Sequence, residues 1–385
     1  TLDLGQGDAD LAAITAKAKA LGVKAAYTID IQDEFCTDVL APAIQANANY
    51  GLGYPLATAL GRPLIAKHLV QVAHAEGATY IAHGCTAKGN DQVRIEVATR
   101  ALDPKLKTIA PMREWIYTRD EAVAYADAHG IPVPVKAGKA YSVDENLWGR
   151  SIESGPIEDV GHAPPEDAYA WTRSPQDAPD DPEDITIGFS HGVPATLNGE
   201  AMPLKDLVLA LNPIAGGNGV GRLDCIEDRL VGIKSREVYE APAAVVLLKA
   251  HKELESFTVS KDVLHHKVGI EQKFGELVYN GLWYSPLMDA LKAYVATTQA
   301  RVTGTIKLRL YKGNIIVLSR YSPYALYSHK LATYGGGDTF DHTAAEGFIT
   351  IWGLPLAVLG GQQTNDTTVK ETKDEPALEA PLDTA

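Results

Sequence analysis

The chain of 385 residues has an apolar fraction of 45 % and a charged fraction of 22 %, which is typical of a soluble globular protein long enough for two domains. Its formal net charge of −14, without any run of Lys and Arg, argues against nucleic acid as a partner because a phosphate backbone repels such a surface. We expect no membrane span and no signal peptide, and three separated cysteines without a CxxC spacing suit a reducing cytosol (Cys36, Cys85 and Cys225).

The first 132 residues alternate between strand and helix signals, starting with TLDLGQG, which reads as the end of a strand entering a glycine turn. Asp8 or Asp10 can cap a helix whose apolar positions run from residue 11 to 21, and Gly22 ends it. A short strand, AAYTID, follows from Ala25.

A long helical stretch is predicted from Pro55 to Gly77, with Pro63 expected to break or restart it. It leads into TYIAHG, a strand that ends in a glycine loop, and KTIAP is a further strand. Thr118 and Glu121 fit a capping box for the next helix. Strands separated by helices indicate a parallel sheet, in which ligands bind at the carboxyl ends of the strands.

From residue 133 the pattern changes to that of an α+β domain, predicted to extend to residue 359. Residues 161–184 are rich in Pro and Asp and read as a surface loop. ITIGFSHGVPATLNGEAM predicts antiparallel strands with a turn at Asn198-Gly199, and TGTIKLRLYKGNIIVLSR predicts a second hairpin with Lys312-Gly313-Asn314 at its turn. Residues 360–385 have few apolar side chains and are predicted to form a disordered acidic tail.

Three segments could carry chemistry. GCTAKGND follows a strand and opens a helix, so it is either an anion site or a tight turn with an Asx cap, with even weight for each. GGNGVGR, from Gly216 to Arg222, favours a plain turn. GRLDCIEDRLVGIKSREVYEAP mixes apolar and charged residues, and a salt-bridged surface ribbon is slightly favoured for it. The histidines show no metal-binding spacing, and Cys85 reads as a small packing residue.

These segments together resemble the argininosuccinate synthases. The shared motifs occur in the family's order over about residues 1 to 357, and their number makes a chance likeness negligible. They include HGCTAKGNDQVR, IAPMREW, AHGIPVPV, YSVDENLWGRSIE, PPEDAYAWTRSPQDAPD, GRLDCIEDRLVGIKSREVYEAP, ELVYNGLWYSPL, LYKGN and AEGFITIWGLPL.

The resemblance implies an α/β fold. A parallel-sheet nucleotide-binding domain of the ATP pyrophosphatase, HUP-like type would occupy residues 1–132, and an α+β synthetase and multimerisation domain would follow. It also implies a cytoplasmic homotetramer of arginine biosynthesis with citrulline, aspartate and ATP as substrates. Citrulline would be adenylated with release of pyrophosphate, and aspartate would displace AMP. Positioning and charge stabilisation, with Mg²⁺ on the phosphates, would drive the reaction without a side-chain nucleophile.

The family's binding roles are expected at matching positions of this chain. Gly84 would contact ATP, while Thr86, Asn90 and Asp91 would hold aspartate. Arg94 would meet the citrulline carboxylate with its guanidinium fork. The citrulline site would also include Tyr54, Asn90, Ser142, Ser151, Glu227 and Tyr239.

The sequence departs from the family pattern in three places. The family begins with a strand and an SGGLDTS phosphate loop, so we expect this chain to be truncated at its N-terminus, and Leu2 falls where the family has a small residue against adenine. Ala87 replaces a glycine, at a cost of about 1 kcal/mol if that position needs φ > 0. Ala59 stands where some members have a citrulline-binding serine.

Two other functions remain open at this point. A non-catalytic homologue, or an inactive fragment, would bind citrulline or aspartate without ATP turnover, as the missing phosphate loop suggests. A related ATP pyrophosphatase acting on tRNA is disfavoured by the acidic charge and by the lack of a CxxC.

Overall fold

A computed structural model describes residues 1–7, 10–51, 53–115, 119–132 and 141–371 of the chain. Asp8, Thr118 and the last fourteen residues of the predicted tail lie outside this part. The α-helices are α1 (Leu11–Ala20), α2 (Gln32–Glu34), α3 (Ala41–Gln45), α4 (Ala57–Glu76), α5 (Asp91–Leu102), α6 (Arg119–Ala128), α7 (Leu204–Gly217), α8 (Pro242–Thr258), α9 (Lys261–Tyr279), α10 (Pro286–Thr298), α11 (His329–Ala332) and α12 (His342–Glu371).

Most strands lie in segments predicted to be strands or hairpins, whereas β5, β6, β10 and β11 were not predicted. They are β1 (Leu2–Asp3), β2 (Ile29–Asp30), β3 (Tyr80–Ala82), β4 (Lys107–Ile109), β5 (Ser142–Asn146), β6 (Gly149–Glu153), β7 (Glu183–Ser190), β8 (Val193–Leu197), β9 (Glu200–Ala201), β10 (Arg222–Asp228), β11 (Lys234–Glu240), β12 (Gly304–Tyr311) and β13 (Asn314–Tyr321). A π-helix, Phe35–Leu40, joins α2 to α3.

Short parallel strands separated by helices form the N-terminal region. Strand β1 pairs with β2, and β3 pairs with β4, both in parallel, which confirms the α/β prediction. The Asp10 side chain accepts a hydrogen bond from the backbone N–H of Ala13 at 2.8 Å, so Asp10 caps α1 as expected. Because β3 enters the glycine loop directly, that loop lies at the carboxyl end of a parallel strand.

Helix α4 is continuous, and the expected break at Pro63 is wrong. Proline removes one hydrogen-bond donor and crowds the preceding turn, which normally favours a kink. Here Pro63 is buried, as are Leu60 and Leu64 next to it in the main core. The Tyr284 hydroxyl also donates a hydrogen bond to the Pro63 carbonyl at 2.8 Å. Tertiary packing therefore overrides the local preference.

Two antiparallel sheets follow in the strand orders β10-β11-β6-β5 and β13-β12-β7-β8-β9. The predicted hairpin turns are confirmed: Asn198 and Gly199 have φ of 52° and 86°, and Lys312 and Gly313 have 46° and 82°. Two successive left-handed residues match the twist of a tight hairpin, which explains the Asn-Gly and Lys-Gly pairs. Helix α8 lies in the core, with Leu247 and Leu254 fully buried.

By their contacts, residues 1–326 form one unit and residues 327–385 another, while the domain boundary expected near residue 132 stays a prediction. Helix α12 corrects the expectation of a tail from residue 360, because its helical backbone continues to Glu371. The segment His342–Gln363 contains an 18-residue window with a mean hydropathy of 1.4 and could cross a membrane by length and composition alone. The sequence reading missed this because Gly353 and Pro355 interrupt the apolar run.

Two glycines of α9 give a matched stability test. A Cβ on Gly275 would overlap the carbonyl oxygen of Asn49, whereas a Cβ on Gly269 would meet nothing within 4 Å. We expect Gly275→Ala to lower the free energy of unfolding by about 1–3 kcal/mol, because the helix must move away from residue 49. Gly269→Ala should raise it by about 0.5–1 kcal/mol through helix propensity. Urea unfolding measures both, and equal effects would contradict the packing described.

Candidate active site

A cavity of about 260 Å³ lies beside the N-terminus of α5, within the unit of residues 1–326. The start of α4, the loop after β3 and the sheet β10-β11-β6-β5 supply its walls. The lining residues are Tyr54, Thr58, Gly84, Cys85, Thr86, Gly89, Asn90, Asp91, Arg94, Ser142, Asp144, Glu153, Glu227, Arg229, Glu237 and Tyr239.

The glycine loop leads into α5, which begins at Asp91 as predicted. The Asn90 side chain does not cap its own helix. Its Nδ2 donates to the Tyr279 hydroxyl at 2.9 Å, and its Oδ1 accepts from the backbone N–H of Leu230 at 2.8 Å. The loop is therefore fixed against both α9 and the turn between β10 and β11.

Ala87 is not strained by its backbone conformation. It is absent from the non-glycine residues with positive φ, so the penalty considered for replacing glycine does not arise. Its carbonyl accepts a hydrogen bond from Gln92 Nε2 at 2.5 Å, which ties the loop to the first turn of α5.

Arg94 lies one helical turn beyond Asp91 with its guanidinium fixed from three directions. Its Nε donates to the Tyr279 carbonyl at 2.9 Å, its Nη1 pairs with Asp91 at 3.1 Å, and its Cζ lies 4.7 Å from the centre of the Tyr279 ring. Only 6 % of the side chain is exposed. A guanidinium held in this way can meet a substrate carboxylate without a large loss of rotamer entropy.

Glu227 lines the cavity and is 4 % exposed. It accepts hydrogen bonds from the hydroxyls of Tyr239 and, at 2.8 Å, Tyr279. The Tyr239 ring stacks on Tyr54 with centroids 4.0 Å apart. Burial raises the pKa of Glu227 above its usual range, although both tyrosine hydroxyls stabilise the carboxylate. A cation is the partner that a desolvated carboxylate of this kind favours.

Two further carboxylates, Glu153 on β6 and Glu237 on β11, lie on neighbouring strands of the sheet that forms this wall. Arg229 Nη2 contacts Glu237 at 2.6 Å and Glu153 at 3.3 Å, and its Nη1 donates to the Lys88 carbonyl at 3.3 Å. Burial raises the pKa of Glu153 to about 7, and the charge of Glu237 adds to the effect.

Arg62, from α4, joins the helical and sheet walls. Its Nη2 pairs with Asp91 at 2.6 Å and also contacts the Asp144 carboxylate. Burial opposes ionisation of Asp91, yet the charges of Arg62 and Arg94 lower its pKa to about 2. Five carboxylates and two guanidinium groups line the cavity itself, so its potential favours ammonium groups on a ligand.

The structure brings the predicted side chains together with one exception. Ser151 does not line the cavity; it is buried on β6, opposite Tyr239 in the sheet, and donates to the Asp144 carbonyl at 3.3 Å. The predicted residues around the cavity are Tyr54, Gly84, Thr86, Asn90, Asp91, Arg94, Ser142, Glu227 and Tyr239.

Sequence reasoning missed several functional neighbours. Arg62 lies in a stretch predicted to be helical, Asp144 lies in a motif that served only the family resemblance, and Tyr279 is the last residue of helix α9. Glu237 and Arg229 belong to a segment predicted to be a salt-bridged surface ribbon. The ion pairs of that prediction are present, but the prediction did not include that Glu237 and Arg229 line a cavity. The density of charge in an otherwise half-buried hairpin was the available signal.

Comparison with known protein families gives matches over both parts of the chain that line the cavity. The arginosuccinate synthase N-terminal HUP domain matches residues 1–132, and the arginosuccinate synthase C-terminal domain matches residues 141–359. Similar curated proteins include the argininosuccinate synthase of Geobacillus kaustophilus, 56 % identical over 93 % of this chain and 88 % of that protein. That of Symbiobacterium thermophilum is 54 % identical over 94 % of this chain and 90 % of that protein. The chain therefore belongs to the argininosuccinate synthase family.

Proposed function

We propose that this protein is an ATP-dependent carbon–nitrogen ligase that condenses citrulline with aspartate to argininosuccinate, releasing AMP and pyrophosphate, in arginine biosynthesis. The observation that carries the proposal is a single cavity lined by nine of the ten residues predicted for the substrates. Family membership over both halves of the chain supports this activity over a binding-only homologue and over a pyrophosphatase acting on tRNA.

Citrulline is assigned to the part of the cavity between Glu227, Arg94 and Tyr54. The buried Glu227 carboxylate would pair with the α-ammonium group, and the Arg94 guanidinium would bind the α-carboxylate. The fixed orientations of both groups support this assignment, because neither has to be ordered by the ligand. Tyr239 and Ser142 would line the same subsite. Ser151 would contribute only indirectly, through its hydrogen bond to the Asp144 carbonyl.

Aspartate is assigned to the loop and the first turn of α5, with Thr86, Asn90 and Asp91 as its partners. This end of the helix carries free backbone N–H groups and the positive end of the dipole, which favour carboxylates. Asn90 lies between the two subsites, since its hydrogen bonds reach Tyr279, a neighbour of Glu227.

ATP is assigned to the side of Gly84, at the carboxyl end of β3. Mg²⁺ would enter with the ATP phosphates, where it neutralises charge as pyrophosphate leaves. Among the described residues, no group of three or more His, Cys, Asp or Glu could hold a metal, so phosphate oxygens would supply most of its ligands. The expected upstream phosphate loop stays a prediction.

A cytoplasmic homotetramer is the proposed assembly. Helix α12 exposes Phe348, Ile351, Trp352 and Leu356, and Trp352 is 75 % exposed. The C-terminal family domain extends to residue 359, so most of this helix is part of the family fold. Contact with other subunits would cover its apolar surface, and we propose that role rather than a membrane span.

The proposal predicts two measurable activities for the complete translation product of the gene. Citrulline should drive exchange of labelled pyrophosphate into ATP, because adenylation is reversible without aspartate. Adding aspartate should then give argininosuccinate and AMP in equal amounts, measured by mass spectrometry. Citrulline binding detected by calorimetry without either activity would instead establish a binding-only homologue.

A further inference from the structure

One carboxylate oxygen of Glu237 lacks a hydrogen-bond partner in the described part of the chain. The residue is 3 % exposed and lines the cavity. Its Oε1 accepts hydrogen bonds from Arg229 at 2.6 Å and from the Ser235 hydroxyl at 2.7 Å. Its Oε2 is fully buried and has no hydrogen-bond partner among the residues that the structure describes. A buried acceptor left in this state is costly, which points to a donor that is present only when a ligand is bound.

Glu153 makes this a paired site. Val238 pairs with Ile152 across strands β11 and β6, and the two glutamates stand next to that pair. Both contact the same Arg229 nitrogen, so one guanidinium partly neutralises two carboxylates. Two adjacent carboxylates with one counter-ion tend to share a proton, and such a pair can accept a proton from a bound cation.

The pair also lies next to the aspartate subsite. Arg229 donates to the carbonyl of Lys88, and Leu230 donates its N–H to Asn90, so the glycine loop is joined directly to this hairpin. Thr86, which is assigned to aspartate, lines the cavity alongside both glutamates. Resting on the function proposed above, we propose that Glu153 and Glu237 bind the α-ammonium group of aspartate and take a proton from it.

Proton transfer from aspartate precedes formation of the carbon–nitrogen bond. The aspartate ammonium gives one proton to the carboxylate pair and becomes an amine with a free electron pair. The amine nitrogen forms a bond to the ureido carbon of the citrullyl adenylate. The bond from that carbon to the AMP oxygen breaks, and its electron pair leaves with AMP. The second nitrogen proton passes to the departing phosphate, which leaves a guanidinium product.

Other charged groups set the pH at which the pair works. Asp91 faces it from α5, Asp144 from β5 and Glu227 from β10, while Arg229 lies between the two carboxylates. Burial, together with the surplus of negative charge, raises the pKa of Glu153 to about 7, so the pair keeps a proton up to near neutral pH. The aspartate-dependent rate should therefore rise with pH through about 7 and level off above it.

Glu237→Gln separates this role from folding and from the first half of the reaction. In the complete translation product, citrulline-dependent exchange of pyrophosphate into ATP should stay within about twofold of the unmodified enzyme, because the direct partners of Glu237 are Arg229 and Ser235, neither of which is assigned to citrulline. Aspartate-dependent formation of argininosuccinate should fall about 100-fold, the usual contribution of a general base. Asp228→Asn, an exposed carboxylate on β10, is the control and should leave both rates unchanged.

The pH profile distinguishes a proton acceptor from a structural group. Removing the charge of Glu237 lowers the pKa of Glu153, so the inflection of the aspartate-dependent rate should move to lower pH in Glu237→Gln. In Glu153→Gln the inflection near pH 7 should be lost. Equal losses in both half-reactions, or an aspartate-dependent rate within about twofold of normal, would overturn the proposal. Failure of the exchange reaction in the unmodified enzyme would overturn the proposed function itself.

Discussion

Replacing Glu227 with glutamine should lower kcat/KM for citrulline by about 100- to 1000-fold, which corresponds to about 3–4 kcal/mol for a buried charge pair. Glu227 is 4 % exposed, so water cannot screen the charge that it offers to the α-ammonium group. Glutamine keeps one acceptor oxygen but brings an NH₂ group towards two tyrosine hydroxyls that now donate to the carboxylate. Steady-state rates at saturating ATP and aspartate measure the effect.

The pH dependence of the same interaction has a defined sign. Burial raises the pKa of Glu227, so acidification protonates it at a higher pH than an exposed glutamate. Citrulline binding should therefore weaken on the acid side in the unmodified enzyme, and this dependence should disappear in Glu227→Gln.

Two further variants test whether charge is responsible. Tyr279→Phe removes one donor to Glu227 and keeps its charge, so the loss should be only about tenfold. Asp228→Asn changes the next residue, whose exposed carboxylate pairs with Lys234, and should have almost no effect. If Asp228→Asn and Glu227→Gln caused similar losses, the assigned citrulline subsite would be wrong.

Local sequence rules predicted the turns and the helix starts but not the assembly of the cavity. The turn at Asn198-Gly199 could be predicted because the residues that determine a turn type are adjacent in the chain. The hydrogen bond from Asn90 to Tyr279 spans 189 positions, and that from Tyr279 to Glu227 spans 52. No periodicity encodes such pairs, so only the likeness to a family placed residues of both halves in one site.

Local sequence rules also fail to predict how residues 161–184 pack. Residues 161–184 look like a loose loop, yet the backbone N–H groups of Ala170, Trp171 and Thr172 all donate to the fully buried Glu240. Glu240 also pairs with Arg150 at 2.8 Å. The sequence shows a loop rich in Pro and Asp, while the anchor that orders it is a single carboxylate about 70 residues away.

Arg62→Met should lower the free energy of unfolding by about 3 kcal/mol, because it leaves Asp91 and Asp144 without a shared counter-ion. The value lies at the low end for a buried pair, since 44 % of the Asp144 side chain is exposed and water screens it. Arg94 still pairs with Asp91 at 3.1 Å and limits the loss further. Urea unfolding at neutral pH measures it.

The double variant Arg62→Met with Asp144→Asn should recover part of this loss, because one uncompensated charge disappears together with the arginine. The lowered pKa of Asp91, about 2, adds a second signature. An aspartate with a depressed pKa stabilises the fold above its unfolded pKa near 4 and loses that effect as the pH falls towards 2. Arg62→Met raises the pKa of Asp91, so the acid-induced loss of stability should be smaller in the variant. An unchanged acid profile, or a loss below about 1 kcal/mol at neutral pH, would show that Arg62 does not hold the two walls together.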